Sequence, residues 1–293
     1  MNEITIDAYA KVNLSLDVLG RLANGYHEVR MVMQQLKLCD KVTVRKTGRG
    51  RREIIITTNV DGVPLDYRNL AHRAAQLMLG LDEILDGVEI HIEKNIPMEA
   101  GLAGGSADCA ATLVAMNALF DMGLSTKALC KLGARLGSDV PFCILGGTAV
   151  AEGTGTSLTP VKGLDPDKYH VVLCKPAEGI STGAVYGKYS EKMQEMMAKP
   201  HPDIVSLVGG MSAGLPVKEL KRNMINVLQY VTAEERPAVR EIIYTMEGAG
   251  ADQAMMTGSG PTVFGIFEDK EKAEFAYRFL APAYEETYIT SFR

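Results

Sequence analysis

The stretch IPMEAGLAGGSADCAATLVAMNALF, residues 96–120, constrains this chain most. Gly101, Gly104 and Gly105, with Ala103 among them, stand directly before an apolar run that contains no further glycine. Glycines that open a helix let backbone N–H groups close on phosphate oxygens, with the positive end of the helix dipole behind them. The alternative is packing, in which the glycines only let a helix lie close to a sheet. Neither better-known phosphate pattern is present: GLAGGSAD lacks the lysine and spacing of GxxxxGK[ST], and Ala103 and Ser106 break GxGxxG. A formal GxSxG match in GGMSAG, residues 209–214, has no strand-to-helix elbow around it and reads as a loop.

Around that stretch, alternation dominates the N-terminal part. Ile4, Ile6, Val12, Leu14, Leu16 and Val18 alternate with Lys11, Asn13, Ser15 and Asp17, which predicts a strand pair with one polar face. VRMVMQQLKL, KVTVRK, EIIITT and VEIHIEK read as strands, with a helix at NLAHRAAQLML. ADCAATLVAMNALF reads as a helix, STKALCKLGARLG as another capped by Ser125 or Thr126, and VPFCILGGTAVAE as strands. The polar, turn-rich GLDPDKYH, residues 163–170, marks a crossover. Beyond it come a strand at YHVVLCKP, helices near 182–198, 217–232 and 234–247, strands AMMTG and TVFGIF, a helix at DKEKAEFAYRFL and a strand near YEETYIT. That order predicts an α+β fold.

Length and composition exclude several classes. At 293 residues, with 46% hydrophobic and 23% charged residues, the chain has material for one large or two ordinary packed domains. A net charge of −5 argues against nucleic acid as a partner, and the one dense basic stretch, RKTGRGRR at 45–52, reads as a solvated turn between strands. Five scattered cysteines without CxxC spacing read as reduced thiols, and five histidines form no ligand pair, so no metal site is expected. The N-terminus has no apolar signal core, and no apolar run reaches the roughly 18–20 residues that span a bilayer. A cytoplasmic protein without a membrane partner is expected; nothing in the sequence sets its oligomeric state.

Six stretches together resemble the GHMP kinase superfamily: AKVNLSL, NGYHEVR, RNLAHRAA, PMEAGLAGGSAD, LGSDVPF and MTGSGPTVFGIF. They run from residue 10 to 267, nearly the whole chain. The closer likeness is to its members that phosphorylate a methylerythritol carrying CDP. The resemblance implies a two-domain GHMP kinase fold, with a ribosomal-S5-like N-terminal domain over residues 1–163 and a ferredoxin-like C-terminal domain over 164–293. It implies ATP as phosphoryl donor, transfer to the C2 hydroxyl of a small-molecule substrate, and Mg²⁺ carried by the nucleotide phosphates rather than by a protein cage. Ala107 departs from the commoner loop, where a second serine is usual, and Ala103 replaces a glycine.

Carried onto this sequence, the resemblance makes Asp139 the base and Lys11 the charge that keeps it ionised. A bare reading leaves Asp139 as a turn residue before Val-Pro and Lys11 as a solvated strand lysine. The ATP side is Asn69, Lys94, Pro97, Gly101, Leu102, Ala103, Gly104, Gly105 and Ser106, although Asn69 before a helix is also a natural N-cap. The substrate side is Asn13, Tyr26, His27, Thr182 and Tyr186, with the tyrosines stacking on cytosine and His27 reading its edge. After Asn24-Gly25, Tyr26 and His27 also read as ordinary turn-flanking residues. Homoserine and mevalonate kinases share the glycine loop but have no use for a nucleobase clamp. A non-catalytic nucleotide sensor has no use for both Lys11 and Asp139.

Overall fold

A computed structural model describes residues 2–23, 25–81 and 84–293. Asn24, half of the expected Asn-Gly turn, lies outside them. The first half of the chain contains β1 (Glu3–Arg21), β2 (His27–Lys46), β3 (Ile54–Thr58), α1 (Leu70–Leu81), β4 (Val88–Glu93), α2 (Gly104–Leu119), α3 (Thr126–Gly133), α4 (Val140–Leu145), β5 (Thr148–Gly153) and β6 (Ser157–Pro160). The second contains β7 (His170–Cys174), α5 (Thr182–Glu191), α6 (Met193–Met196), α7 (Ile204–Ala213), α8 (Val217–Leu220), α9 (Leu228–Glu235), α10 (Pro237–Gly248), β8 (Gln253–Met256), β9 (Val263–Phe267), α11 (Lys270–Leu280) and β10 (Thr287–Ser291).

These elements form two compact units interleaved along the chain. One comprises Met1–Ala10, Leu38–Met98 and Ala103–Gly146, the other Lys11–Lys37, Glu99–Leu102 and Gly147–Arg293. This partition differs from a single cut at 163, because β1 changes unit after Ala10 and β2 after Lys37. The expected strand pair over Ile4–Val18 is one 19-residue strand, and VRMVMQQLKL and KVTVRK are parts of one 20-residue strand. No glycine or proline interrupts either alternation before Gly20 or within β2, so nothing turns the chain.

In the first unit, β2 pairs antiparallel with β4, Val42 opposite Ile92 and Val44 opposite Ile90, and β3 lies parallel to β4. Their inward side chains pack with Ala71, Ala74, Ala75 and Met78 of α1 and Cys109, Leu113 and Met116 of α2. Small residues on both helices allow the close approach. VPFCIL is a helix rather than a strand: Pro141 sits in its first turn, where a missing N–H costs nothing, and Gly146 at φ 77° ends it. Ser125 caps α3 by accepting from the Ala128 N–H.

In the second unit, β2 pairs antiparallel with β5, Met31 opposite Ala151, and β5 with β6. A separate antiparallel sheet has the order β10-β7-β9-β8. Strand, helical segment, two strands, helix, strand, with the first and third strands central, is the ferredoxin-like arrangement. GGMSAG is the end of α7 rather than a loop. Asp203 caps that helix, Gly214 ends it in the left-handed region, and a Cβ on Gly210 would lie 2.4 Å from Leu220 Cδ2. That glycine serves packing.

The basic turn is self-neutralised: Arg49 and Arg51 pair with Glu53, Arg45 pairs with Glu3, and Arg52 donates to the Ile84 carbonyl. No cysteine is in a disulfide. Burial pushes the Cys109 thiol up to about 12 and Cys174 to about 11, which keeps both protonated. Among the described residues no helix is long and apolar enough to cross a membrane, and no three His, Cys, Asp or Glu side chains converge as a metal cage.

Candidate active site

The glycines of the opening stretch divide by role. Gly101 has φ +73°, and a Cβ there would lie 2.5 Å from the Thr257 carbonyl oxygen, so this position admits only glycine. A Cβ on Gly104 would lie 3.2 Å from Ile96 Cγ2 and 3.3 Å from Lys94 Nζ. Gly105 is exposed, and a Cβ on it would meet no protein atom within 4 Å. Its bareness therefore serves nothing inside the protein and leaves room for a ligand.

Gly104 and Gly105 are the first two helical residues of α2, and the left-handed residue is Ala103, at φ 61° and ψ 27°. An alanine there costs about 1 kcal/mol, which accounts for the glycine more usual at this position. Ala103 has no side-chain oxygen, so it makes no side-chain cap, and the first N–H groups of α2 lie outside the intrahelical ladder as every helix start requires. Pro97 and Leu102 are buried and Ser106 is half-buried. Ala107, where a second serine is usual in the resemblance, belongs to the core of the first unit.

The two other residues of the expected ATP side are engaged by the protein. Asn69 accepts from the Ala71 N–H at 2.9 Å and donates to the Pro64 carbonyl at 2.8 Å, so its side chain starts α1. Lys94, 7% exposed, places its ammonium between Asp40 and Asp108, 2.8 Å from Asp108 Oδ2. Burial alone would lower its pKa; the two carboxylates outweigh that and raise it.

Lys11, buried in β1, donates to Asn13 Oδ1 and to the Gly101 carbonyl, both at 2.8 Å. Thr257 closes the network by accepting from the Asn13 N–H at 3.0 Å and donating to Asn13 Oδ1 at 3.3 Å. The turn that carries Thr257 is pinned by Asn226, whose Nδ2 donates to the Met256 and Gly258 carbonyls at 2.9 and 2.8 Å. Gly258, at φ +57°, brings its backbone against Gly101: a Cβ there would lie 3.0 Å from the Gly101 oxygen. The motif MTGSGP thus packs on the loop that holds Lys11, and Thr257 and Asn226 are site residues that sequence reasoning missed. The glycine pairing in TGSG was the available signal. Asp139 stands at the N-cap position of α4 in the first unit, half-buried.

Of the residues expected on the substrate side, Thr182 and Tyr186 lie on α5 and His27 lies against it. His27 Nε2 lies 2.5 Å from Ser190 Oγ, and its ring lies 4.9 Å from that of Tyr186 at 35°. These two rings touch, which leaves no room for a third ring between them. Burial first, then the charge of Arg21, lowers the His27 pKa, which keeps the imidazole neutral near pH 7. Tyr26 is 61% exposed, and its carbonyl accepts from the Leu22 N–H. Thr182 shares a hydrogen bond with Ser259 at 2.8 Å. Thr182, Tyr186 and Ser190 are four residues apart and line one stripe of α5. The same spacing would have pointed to Ser190 from the sequence.

Fold and site together define a small-molecule kinase. The family profile for the GHMP kinases N terminal domain matches residues 69–147, and that for the GHMP kinases C terminal matches 212–286. A 4-diphosphocytidyl-2-C-methyl-D-erythritol kinase of Alkaliphilus oremlandii is 43% identical over 289 residues, covering 99% of this chain and 96% of that one. One from Clostridium tetani is 45% identical over 286 residues, covering 97% and 98%. The crystal structure of a 4-(cytidine 5'-diphospho)-2C-methyl-D-erythritol kinase superposes with a TM-score of 0.81 at 29% identity over 99% of both chains. A homoserine kinase from Cytophaga hutchinsonii, at 18% identity and TM-score 0.75 over 100% of this chain and 95% of that one, shares the fold. The chain belongs to the 4-diphosphocytidyl-2-C-methyl-D-erythritol kinase family of GHMP kinases, and membership implies use of ATP.

Proposed function

We propose that this chain transfers the γ-phosphate of ATP to the C2 hydroxyl of 4-diphosphocytidyl-2-C-methyl-D-erythritol, in the non-mevalonate route to isoprenoid precursors. The observation that carries the substrate is the aromatic–imidazole pair of His27 and Tyr186, held by Ser190. A GHMP kinase acting on a small aliphatic alcohol has no nucleobase for such a pair to read. The bare start of α2 supports the ATP side: the N–H groups of Gly104, Gly105 and Ser106 receive phosphate oxygens, with Pro97, Gly101, Leu102 and Ala103 shaping the loop.

A tertiary alcohol is a poor nucleophile, and phosphoryl transfer gains most from positioning and charge stabilisation, with a base taking the proton late. In this reading Asp139 takes the C2 hydroxyl proton as the alcohol oxygen bonds to the γ-phosphorus and the bond to ADP breaks. Lys11 is in this reading the second catalytic residue, and Asn13 fixes the direction of its ammonium. Asn69 and Lys94 support the adenine side. Mg²⁺ would be carried by the nucleotide phosphates rather than by protein ligands, and would supply charge neutralisation there. Residues 1–163 carry the catalytic pair and the phosphate loop, and 164–293 form the second domain. The enzyme works in the cytoplasm on a free small molecule.

One phosphotransfer assay tests the assignment. With equal concentrations of the diphosphocytidyl substrate, mevalonate and homoserine, only the first becomes phosphorylated. Comparable kcat/KM on either small alcohol overturns it.

A further inference from the structure

Behind the bare helix start, within the first unit, lies a cluster of buried charges, of which the proposed function names Lys94 alone. Asp40 is 0% exposed in its side chain, Asp108 5% and Lys94 7%. The Lys94 ammonium bridges both carboxylates. The other Asp40 oxygen accepts from the backbone N–H groups of Asn95 at 2.6 Å and Ile96 at 2.8 Å, the residues that lead into the glycine stretch. Asp108 stands one turn inside α2, and Lys94 Nζ lies directly behind Gly104. Three separate segments, β2, the chain after β4 and the start of α2, are thus tied by one ammonium group.

Burying three charges is expensive, and apolar residues of the same volume fill a core at least as well. One oxygen of Asp108 also lacks a hydrogen-bond partner, a further cost that packing alone does not explain. What the cluster supplies that apolar residues cannot is direction. An ammonium between two carboxylates, one of which also holds two successive amides, fixes where the loop begins relative to where the helix begins.

We propose that Asp40, Lys94 and Asp108 are positioning residues for ATP: they hold the entry of the glycine loop and the first turn of α2 in the spacing that receives the phosphates. The idea rests on the reading of that loop as the phosphate site. Lys94 then acts on the nucleotide through the loop rather than through its own charge.

The test measures ATP and diphosphocytidyl-substrate affinities of the full chain for wild type, Asp108→Ala, Asp108→Asn and Gly105→Val. Asp108→Ala cuts the tie and weakens ATP binding about tenfold or more, with substrate affinity unchanged. Asp108→Asn keeps an oxygen for Lys94 and restores most of the loss. Normal ATP binding by Asp108→Ala while Gly105→Val binds poorly overturns the tie and leaves the loop reading standing. Normal ATP binding by both overturns the loop reading and the tie with it. Equal loss of ATP and substrate affinity in Asp108→Ala also overturns the tie, since a general structural role would produce it. Hydrogen exchange on the nucleotide-free wild type covers the case in which Asp108→Ala does not fold. The Asn95 and Ile96 amides exchange slowly if the tie is pre-formed, and fast exchange at both overturns the proposal.

Discussion

At Gly105 an added methyl group would meet no protein atom within 4 Å, whereas at His27 the ring nitrogen is already held by Ser190 and the ring face by Tyr186. The first region offers a ligand backbone N–H groups, backed by buried charges. The second consists of side chains from the start of β2 and from a half-buried stripe of α5. A backbone site is insensitive to the chemistry of its own residues and sensitive to any bulk or displacement. A side-chain site tolerates displacement and changes its preference with each substitution. Phosphate, common to every ATP, suits the first design, and a base that must be told from its near relatives suits the second.

The largest expected effect belongs to neither region. Asp139→Asn keeps the shape and loses the base, so ATP and substrate bind as in wild type while kcat falls by roughly 10²–10⁴. Single-turnover kinetics with separate binding titrations check this, and near-normal turnover removes Asp139 from the base's role.

Within the glycine stretch the comparison sharpens to two residues four apart. Gly101→Ala strains a left-handed backbone and drives a methyl group to 2.5 Å from the Thr257 oxygen, in the network that also holds Lys11. Stability falls by about 1–3 kcal/mol. Gly105→Ala gains a good helix former in open space, so its thermal midpoint holds or rises while ATP affinity falls. Thermal melts and ATP titrations of both variants separate the two. An ATP affinity unchanged in Gly105→Ala and Gly105→Val removes this glycine from the phosphate site.

Much of this was legible in the sequence, for physical reasons that also mark what was not. A backbone site writes itself into residue types because only small residues satisfy it, so the loop was visible at 96–106. The sequence did not show which residues take positive φ: it falls at Gly101 and Ala103, because φ depends on how the chain enters the helix. Short apolar runs such as VPFCIL serve strand or helix equally, and the glycines of α7 hid a helix whose cap, Asp203, was in plain view. The Asp40–Lys94–Asp108 cluster has no local pattern at all, since its members are 54 and 14 residues apart. Resemblance pointed to Lys94, and only the fold brings its partners together.

The buried cluster and the imidazole of His27 give the two sides pH signatures of opposite sign. Burial first, with Asp40 adding and Lys94 opposing, raises the Asp108 carboxyl from its ordinary value to about 7. The folded chain therefore holds a proton that the unfolded chain releases near pH 4. Stability from this group is present below pH 4 and is lost as pH rises through 7. Asp108→Asn, which cannot titrate, flattens the fall in thermal midpoint between about pH 4 and 7, whereas His27→Ala, by removing a group whose lowered pKa opposes that fall, steepens it just below about pH 6.5. Parallel slopes for wild type and Asp108→Asn would remove the titration from Asp108.

The smallest effect tests the side-chain region on its own terms. Tyr186→Ala removes one ring of the pair and loses roughly 1 kcal/mol of substrate binding, with ATP affinity unchanged. Ser190→Ala removes no contact with the base, so affinity for the natural substrate changes less. What it removes is the constraint on the imidazole. A neutral histidine carries one proton, and the nitrogen that does not face Ser190 is a donor or an acceptor according to which tautomer the serine holds. Cytosine and uracil present opposite groups on the same edge, so a fixed tautomer favours one and repels the other. With the serine gone, both tautomers become accessible, and the preference for the CDP over the UDP compound narrows by roughly three- to tenfold. Titrations of both compounds against wild type, Tyr186→Ala and Ser190→Ala distinguish the outcomes. Tyr186→Ala weakens the two alike, since stacking is blind to the edge, and Ser190→Ala changes chiefly their ratio. A ratio unchanged in Ser190→Ala would mean that the imidazole is not what reads the base, and the discrimination would pass to backbone groups around Tyr26.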